Sequence, residues 1–147
     1  MNSKTVHYKT AFRIMSDELV PDEISKLLNI EPTLSHKKGD HHIGHTKKGK
    51  IVEYSPFDKG LWALESELQN DVSFEDHVMN ILDKLEPSQN SLHELFKRGY
   101  KFDLFCGVFS NSVQAGLEVD HMLMQRLSNL HISLGLDIYC TGIPEVK

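Results

Sequence analysis

The sequence has few cysteines and no long apolar run. Cys106 and Cys140 both lie inside apolar, strand-like segments and form no CxxC pair, so we expect two buried thiols and no disulfide framework. No apolar run approaches the roughly 20 residues of a membrane-spanning helix. The N-terminal residues lack the apolar core of a secretory signal. These absences predict a cytoplasmic protein that does not cross a membrane.

Familiar catalytic signatures are missing too. The sequence contains no Gly-x-Ser-x-Gly, no His-Glu-x-x-His and no phosphate-binding Gly-Lys-Ser/Thr loop, the short motifs tied to hydrolytic, metal-dependent or nucleotide chemistry. The carboxylate pairs Asp22-Glu23 and Glu75-Asp76 lie in predicted first helical turns, where the helix dipole explains them. The sequence therefore favours a protein that is not an enzyme, and we expect no cofactor.

An excess of basic residues is also absent. The chain carries 16 Lys and Arg against 21 Asp and Glu, a formal net charge of -5 at pH 7. Nucleic-acid binding generally needs a basic surface, so this balance opposes general nucleic-acid binding. An acidic excess instead favours association with basic proteins by electrostatic steering.

The chain contains enough apolar material for one domain. It has 147 residues, of which 39% are apolar and 25% charged. A chain of this length buries roughly 70% of its unfolded surface on folding. We expect residues 1–147 to form a single domain with a frayed tail at 141–147.

Alternation and helical spacing together predict an α+β fold, with a mostly antiparallel sheet, helices packed on one face, and ferredoxin-like pairings as one arrangement. We expect a hairpin between strands at 50–54 and 60–66, and a short strand at 114–119. The three longest strands alternate in one register. Their shared apolar face predicts these buried residues: Tyr8, Phe12, Ile14, Phe102, Leu104, Leu134, Leu136 and Ile138.

The segment 33–49 breaks this pattern. It contains three glycines, four histidines and four lysines with few apolar residues, which predicts a mobile long loop or a loose hairpin. Its imidazoles and one carboxylate are potential metal ligands, but their spacing matches no known metal motif and the lysines oppose a cation. We favour a solvated loop over an anion-binding or metal-binding loop. The weak metal candidates are His36, Asp40, His41, His42 and His45.

The polar faces of the predicted strands also carry candidate binding residues. Arg13 could pair across the sheet with Asp103 or Asp137, which is the ordinary structural interpretation. The functional interpretation is an open, charged sheet face that is used for binding. Trp62, the single tryptophan, is either a core residue or a binding platform. The candidate ligand-binding or partner-binding residues are Arg13, Lys38, Asp40, Trp62, Asp103 and Asp137.

Several landmarks follow one another along the chain: Phe12-Arg13-Ile14, the run from Pro21 to Thr33, Lys38-Gly39-Asp40, Gly60-Leu61-Trp62 and Leu136-Asp137-Ile138-Tyr139. Together they resemble a bacterial family catalogued as domain of unknown function four-two-seven-nine. Members read Ile-Thr-x-x-Leu-Gly-Ile-x-Pro-Thr after the first strand, with a Gly-Asp in the next loop. Here Ser25 replaces the usual Thr and Asn29 the usual Gly. The resemblance implies a single-domain bacterial protein and assigns no catalytic residue.

Two classes of function remain. The favoured one is a non-enzymatic protein-interaction module, of which an immunity-type inhibitor is one form. It is supported by small size, acidic charge and the missing catalytic motifs. The alternative is a small-ligand or metal-binding protein that uses the histidine-rich loop and the polar sheet face. Oligomeric state is left open.

Overall fold

The computed structural model describes residues 5–142. A five-stranded sheet in the order β2-β5-β1-β6-β7 forms the centre, and a separate hairpin joins β3 to β4. The strands are β1 (Val6–Ser16), β2 (Leu34–His36), β3 (His42–His45), β4 (Ile51–Tyr54), β5 (Gly60–Glu65), β6 (Lys101–Ser110) and β7 (Ser133–Cys140). The helices are α1 (Pro21–Leu28), α2 (Phe74–Leu85), α3 (Gln89–Lys97) and α4 (His121–Asn129).

The sheet is antiparallel except at one edge. Strand β1 lies between β5 and β6 and runs antiparallel to both. Only β6 and β7 are parallel, because the chain returns through α4 before it enters β7. The predicted α+β class, with a mostly antiparallel sheet and helices on one face, is confirmed.

The period-two pattern of the strands builds the core. Phe12, Ile14 and Leu104 are fully buried, and they face the apolar sides of α1, α2, α3 and α4 in one cluster. Alternate residues of a strand point to opposite faces, so their neighbours point away from the helices. Within residues 5–142 the result is two layers, with the helices on one side of the sheet and none on the other.

Helix boundaries follow the capping residues. Ser73 caps α2 by accepting a hydrogen bond from the Asp76 backbone N–H at 3.1 Å, and Asp120 caps α4 through the Met122 N–H at 2.7 Å. Asn29 ends α1 in the left-handed conformation, with φ of 55°, which a short polar side chain tolerates. Each of these three boundaries is set by a residue at the helix end itself.

Two predicted strand features are wrong. Strand β4 pairs with β3 rather than with β5, because both edges of β5 are taken by β1 and β2. Residues 114–119 form no strand. Both edges of β6 are likewise occupied, by β1 and β7, so this segment cannot pair with the strand that precedes it.

The burial predicted for β7 is also wrong. Leu136 and Ile138 are 40% and 50% exposed, although Cys106 and Val108, beside them on β6, are buried. The helical layer therefore covers β6 and the start of β7, where Leu134 is partly buried, but leaves Leu136 and Ile138 uncovered. Cys140 is exposed for the same reason, against our expectation, whereas Cys106 is buried as predicted.

The segment 33–49 contains more structure than its composition suggests. Residues Leu34–His36 extend the main sheet beside β5, and His42–His45 form one arm of the β3–β4 hairpin. Its mobility stays a prediction. Of the predicted frayed tail, Thr141 is held by a hydrogen bond from its N–H to the Ser110 carbonyl at 3.0 Å, and residues 143–147 lie outside the described residues.

Candidate functional site

The sheet face turned away from the helices is open. It carries the odd-numbered residues of β1, β6 and β7, which the register places side by side in rows across the sheet. One row contains Lys9, Gly107 and Asp137, and the next towards the start of β6 contains Ala11 and Phe105. Aromatic and charged side chains therefore converge on an uncovered surface, which we call the open face.

A hollow of about 290 Å³ lies in the open face around Gly107. Ala11 and Gly107 form the bottom of the hollow, since neither carries a large side chain that would fill it. Phe105, Phe109 and Tyr139 stand around this floor. A Cβ atom placed on Gly107 would lie 2.9 Å from Cε2 of Phe109, so the absence of a side chain at Gly107 is what lets that ring lean across the floor.

The aromatic rings are ordered by contacts with one another and with an arginine. Phe109 and Tyr139 are stacked, with ring centroids 5.2 Å apart and planes inclined by 7°. They are 43% and 47% exposed. The Arg13 guanidinium lies 4.6 Å from the centroid of Phe105, within cation–π range. Large apolar rings thus stay in contact with solvent at fixed orientations.

Charged groups surround the hollow. Lys9, Glu65 and Asp137 line it, so carboxylates outnumber ammonium groups there. The Tyr139 hydroxyl donates a hydrogen bond of 2.6 Å to Asp137 Oδ2. That bond favours the neutral phenol and raises the pKa of Tyr139. The same bond fixes Asp137 beside the stacked rings.

The structure brings together three of the predicted binding residues. Arg13, Asp103 and Asp137 all lie on the open face. Arg13 pairs with Asp103 rather than with Asp137, through Nη2 to Oδ2 at 2.6 Å. The cross-strand ion pair expected from the polar face is therefore present, with its guanidinium over the Phe105 ring at the side of the hollow.

The other three predicted binding residues lie elsewhere. Trp62 points into the core, is fully buried, and donates its indole N–H to Ser25 Oγ at 3.1 Å. Lys38 forms an exposed ion pair with Asp17 at 3.4 Å. Asp40 accepts a hydrogen bond from the Lys37 backbone N–H at 2.8 Å, which closes a turn. None of the three lines the hollow.

Two of the four histidines of segment 33–49 stack on an aromatic ring. Phe57 lies between His36 and His42, with centroid distances of 3.5 and 4.1 Å. Burial lowers the pKa of His36, with weaker opposing effects from backbone hydrogen bonds and Asp40. His41 and His45 are exposed. Over residues 5–142, no group of three or more His, Cys, Asp or Glu side chains is placed to hold a metal ion.

Sequence reasoning missed the aromatic side of the open face. Phe105 and Phe109 occupy odd positions of β6, and Tyr139 an odd position of β7, where a one-sided sheet normally carries polar residues. Gly107 interrupts the same row of odd positions. Bulky rings on the solvent side of alternating strands were the available signal, but the prediction for that side took account only of its charged residues.

Comparison with known proteins gives a family and no more. Residues 6–141 match the family model described as Domain of unknown function (DUF4279). No curated protein and no solved structure matches the chain. In the part of the chain that the structure describes, no helix is long and apolar enough to cross a bilayer.

Proposed function

The chain belongs to the DUF4279 family, and we propose that this member is a non-enzymatic protein-interaction module whose open face binds a basic protein. The observation that carries the proposal is the exposed Phe109–Tyr139 stack beside a hollow rimmed by carboxylates. Function in this proposal comes from surface recognition and needs no cofactor.

The exposed aromatics support a binding role. Phe109 and Tyr139 leave much of their ring surface in water, although apolar area in water is unfavourable by roughly 25 cal/mol per Å². Interface hot spots are enriched in Tyr and Arg, and Tyr139 and Arg13 lie on the same face. A partner that covers these rings removes their apolar surface from water. No loop has to become ordered first, because the side chains lie on strands.

The charge distribution supports a basic partner. The net charge of -5 attracts cationic proteins over long range. At short range, Glu65 and Asp137 beside aromatic faces match an arginine or lysine side chain, which gains from carboxylates and from ring quadrupoles together. Lys9 opposes this charge from one side of the hollow, which favours a partner that carries a carboxylate next to its basic residue.

Inhibition of a basic enzyme, in the manner of an immunity protein, is the finer form of this proposal. It rests on the charge argument and on the small single domain. The alternative is a small-ligand protein that uses the same hollow, whose volume of about 290 Å³ lies at the lower end of ligand pockets. A peptide experiment distinguishes the two classes.

The test selects peptides from a random phage-displayed library on the wild-type domain. Selected phage are then screened against a Phe109→Ser/Tyr139→Ser double variant. We expect the selected sequences to be enriched in Arg and Lys. We expect the double variant to bind them at least about tenfold more weakly, since an aromatic anchor contributes on the order of 1–2 kcal/mol.

Tyr54→Ser is the matched control. Tyr54 is 50% exposed but lies on the β3–β4 hairpin, outside the open face, so its loss is expected to leave peptide binding unchanged. Selection of acidic peptides, or equal losses in the control and the double variant, would contradict the proposal. Failure to enrich any peptide would favour the small-ligand alternative.

A further inference from the structure

Strand β7 is an edge without a neighbour among residues 5–142. It pairs with β6 on one side only, as the last strand of the sheet order. Its length of eight residues leaves a row of unpaired backbone N–H and C=O groups pointing outwards. Such an edge is a template for another strand.

The helix-side face of β7 is apolar and uncovered. Leu136 and Ile138 are exposed there, next to the partly buried Leu134. These three side chains form a strip along the strand, because residues two apart share a face. The strip continues the apolar core layer beyond the point where the helices end.

The usual protections of an edge strand are missing from β7. It contains no proline, no lysine and no arginine, which are the residues that discourage edge-to-edge pairing. Its one charged residue, Asp137, points to the other face and accepts the Tyr139 hydroxyl. By contrast, the opposite edge of the sheet is β2, which is only three residues long.

We propose that β7 pairs antiparallel with β7 of a second copy of this chain, which joins two five-stranded sheets into one of ten strands. A twofold axis perpendicular to the sheet keeps both helical layers on the same side. With Leu136 opposite its own copy, Leu134 faces Ile138 of the second chain, and both apolar strips merge.

The charge on β7 opposes one neighbouring register. A shift that placed Asp137 opposite itself would set two carboxylates side by side, and like charges directly opposite each other destabilise a strand pair. Centring on Leu136 instead places Asp137 opposite Gly135 of the second copy. The arrangement centred on Leu136 pairs the free backbone edge, sets all three apolar residues of one strip opposite those of the other, and separates the carboxylates.

The first test measures oligomeric state by sedimentation velocity across the micromolar range. An edge-strand interface is at the small end of interface sizes, so we expect a reversible monomer–dimer equilibrium. Leu136→Asp is expected to abolish the dimer while the chain stays folded by circular dichroism. Leu27→Asp is the control, since Leu27 is similarly exposed, at 45%, but lies on α1. It should dimerise as wild type.

The second test fixes the register by disulfide formation in a Cys140→Ser background. Leu136→Cys is expected to give an intermolecular disulfide, because residues opposite one another lie within the Cα separation that a disulfide spans. Ile138→Cys is the control. Its own copy would be displaced by four residues, about 13 Å along the strand, so no cross-link is expected.

Each result of these two tests has a distinct meaning for the proposed dimer. A wild-type chain that remains monomeric throughout the range overturns the proposal. Equal cross-linking at the two positions overturns the register. Dimer loss in Leu27→Asp as well as Leu136→Asp would place the interface elsewhere. Peptide binding on the open face is measured independently, so either proposal can fail without the other.

Discussion

Arg13 and Asp103 face each other across β1 and β6 and form a two-point ion pair. Arg13 Nε donates to Oδ1 at 2.8 Å and Nη2 donates to Oδ2 at 2.6 Å. The hydrogen bonds to Asp103 raise the pKa of Arg13, against a smaller opposing effect of burial. The pair is half-buried, so its geometry is favourable while solvent still screens its charges.

A double-mutant cycle with Arg13→Ala and Asp103→Ala should give a coupling energy of about 1 kcal/mol. Urea unfolding of the four chains measures it. The Arg13→Ala chain should also show altered shifts for the Phe105 ring protons, because the guanidinium lies over that ring. Zero coupling would mean that the pair positions the open face without stabilising the fold.

Truncation of a core leucine and of an edge leucine should lower the free energy of unfolding by very different amounts. Leu104→Ala removes a fully buried side chain and is expected to lower the free energy of unfolding by about 2–5 kcal/mol. Leu136→Ala removes a partly exposed one and is expected to cost less than about 1 kcal/mol. Urea unfolding of dilute protein compares them. Similar losses would show that Leu136 is buried in solution.

Gly107→Val should disturb the open face more than the fold. A Cβ atom there would approach Phe109 Cε2 to 2.9 Å, so the ring must swing away and its stack with Tyr139 must open. We expect the ring protons of both residues to shift in NMR spectra and peptide binding to fall. Unchanged ring shifts would show that the two aromatic rings are not fixed in solution.

The stability of the fold should fall in mild acid through His77. This residue is buried, with Nδ1 at 2.7 Å from Ser66 Oγ, and burial lowers its pKa below the ordinary 6.5. As the pH falls through 6.5 the unfolded chain binds a proton that the folded chain does not, so the free energy of unfolding decreases.

Urea unfolding at pH 7.5 and pH 5.5 tests this. His77→Gln is expected to reduce the difference between the two values. The pKa of His36 is lowered in the same direction, so His36→Gln should reduce the remaining difference. If neither substitution reduces the difference between the free energies of unfolding at the two pH values, other groups cause the acid sensitivity.

Limited trypsin digestion should cleave first within segment 33–49. Lys37, Lys38, Lys47 and Lys48 are exposed, and the segment has few apolar side chains to anchor it against local opening. Mass spectrometry of the earliest fragments identifies the sites. First cleavage at the exposed Lys97 or Lys101 instead would show that ring stacking on Phe57 holds the segment closed.

Local chemistry determined much of this protein from the sequence alone. Strand periodicity identified β1 and β6, and the capping residues Ser73 and Asp120 set helix starts, because both signals depend on neighbours within a few positions. The pairing of Arg13 with an aspartate across the sheet also followed from which strand faces are polar. The family resemblance, now supported by the match over 6–141, rested on the order of such landmarks.

The tertiary structure alone decided which strand edges are paired and which edge residues are covered by helices. Whether Leu136 is covered depends on how far the helical layer reaches, and the partner of β4 depends on which strand edges are already taken. The hollow around Gly107 is built from β1, β5, β6 and β7, which lie far apart in sequence. Alternation tells which residues share a face but not which face a helix covers, so the site emerged only when the strands were placed side by side.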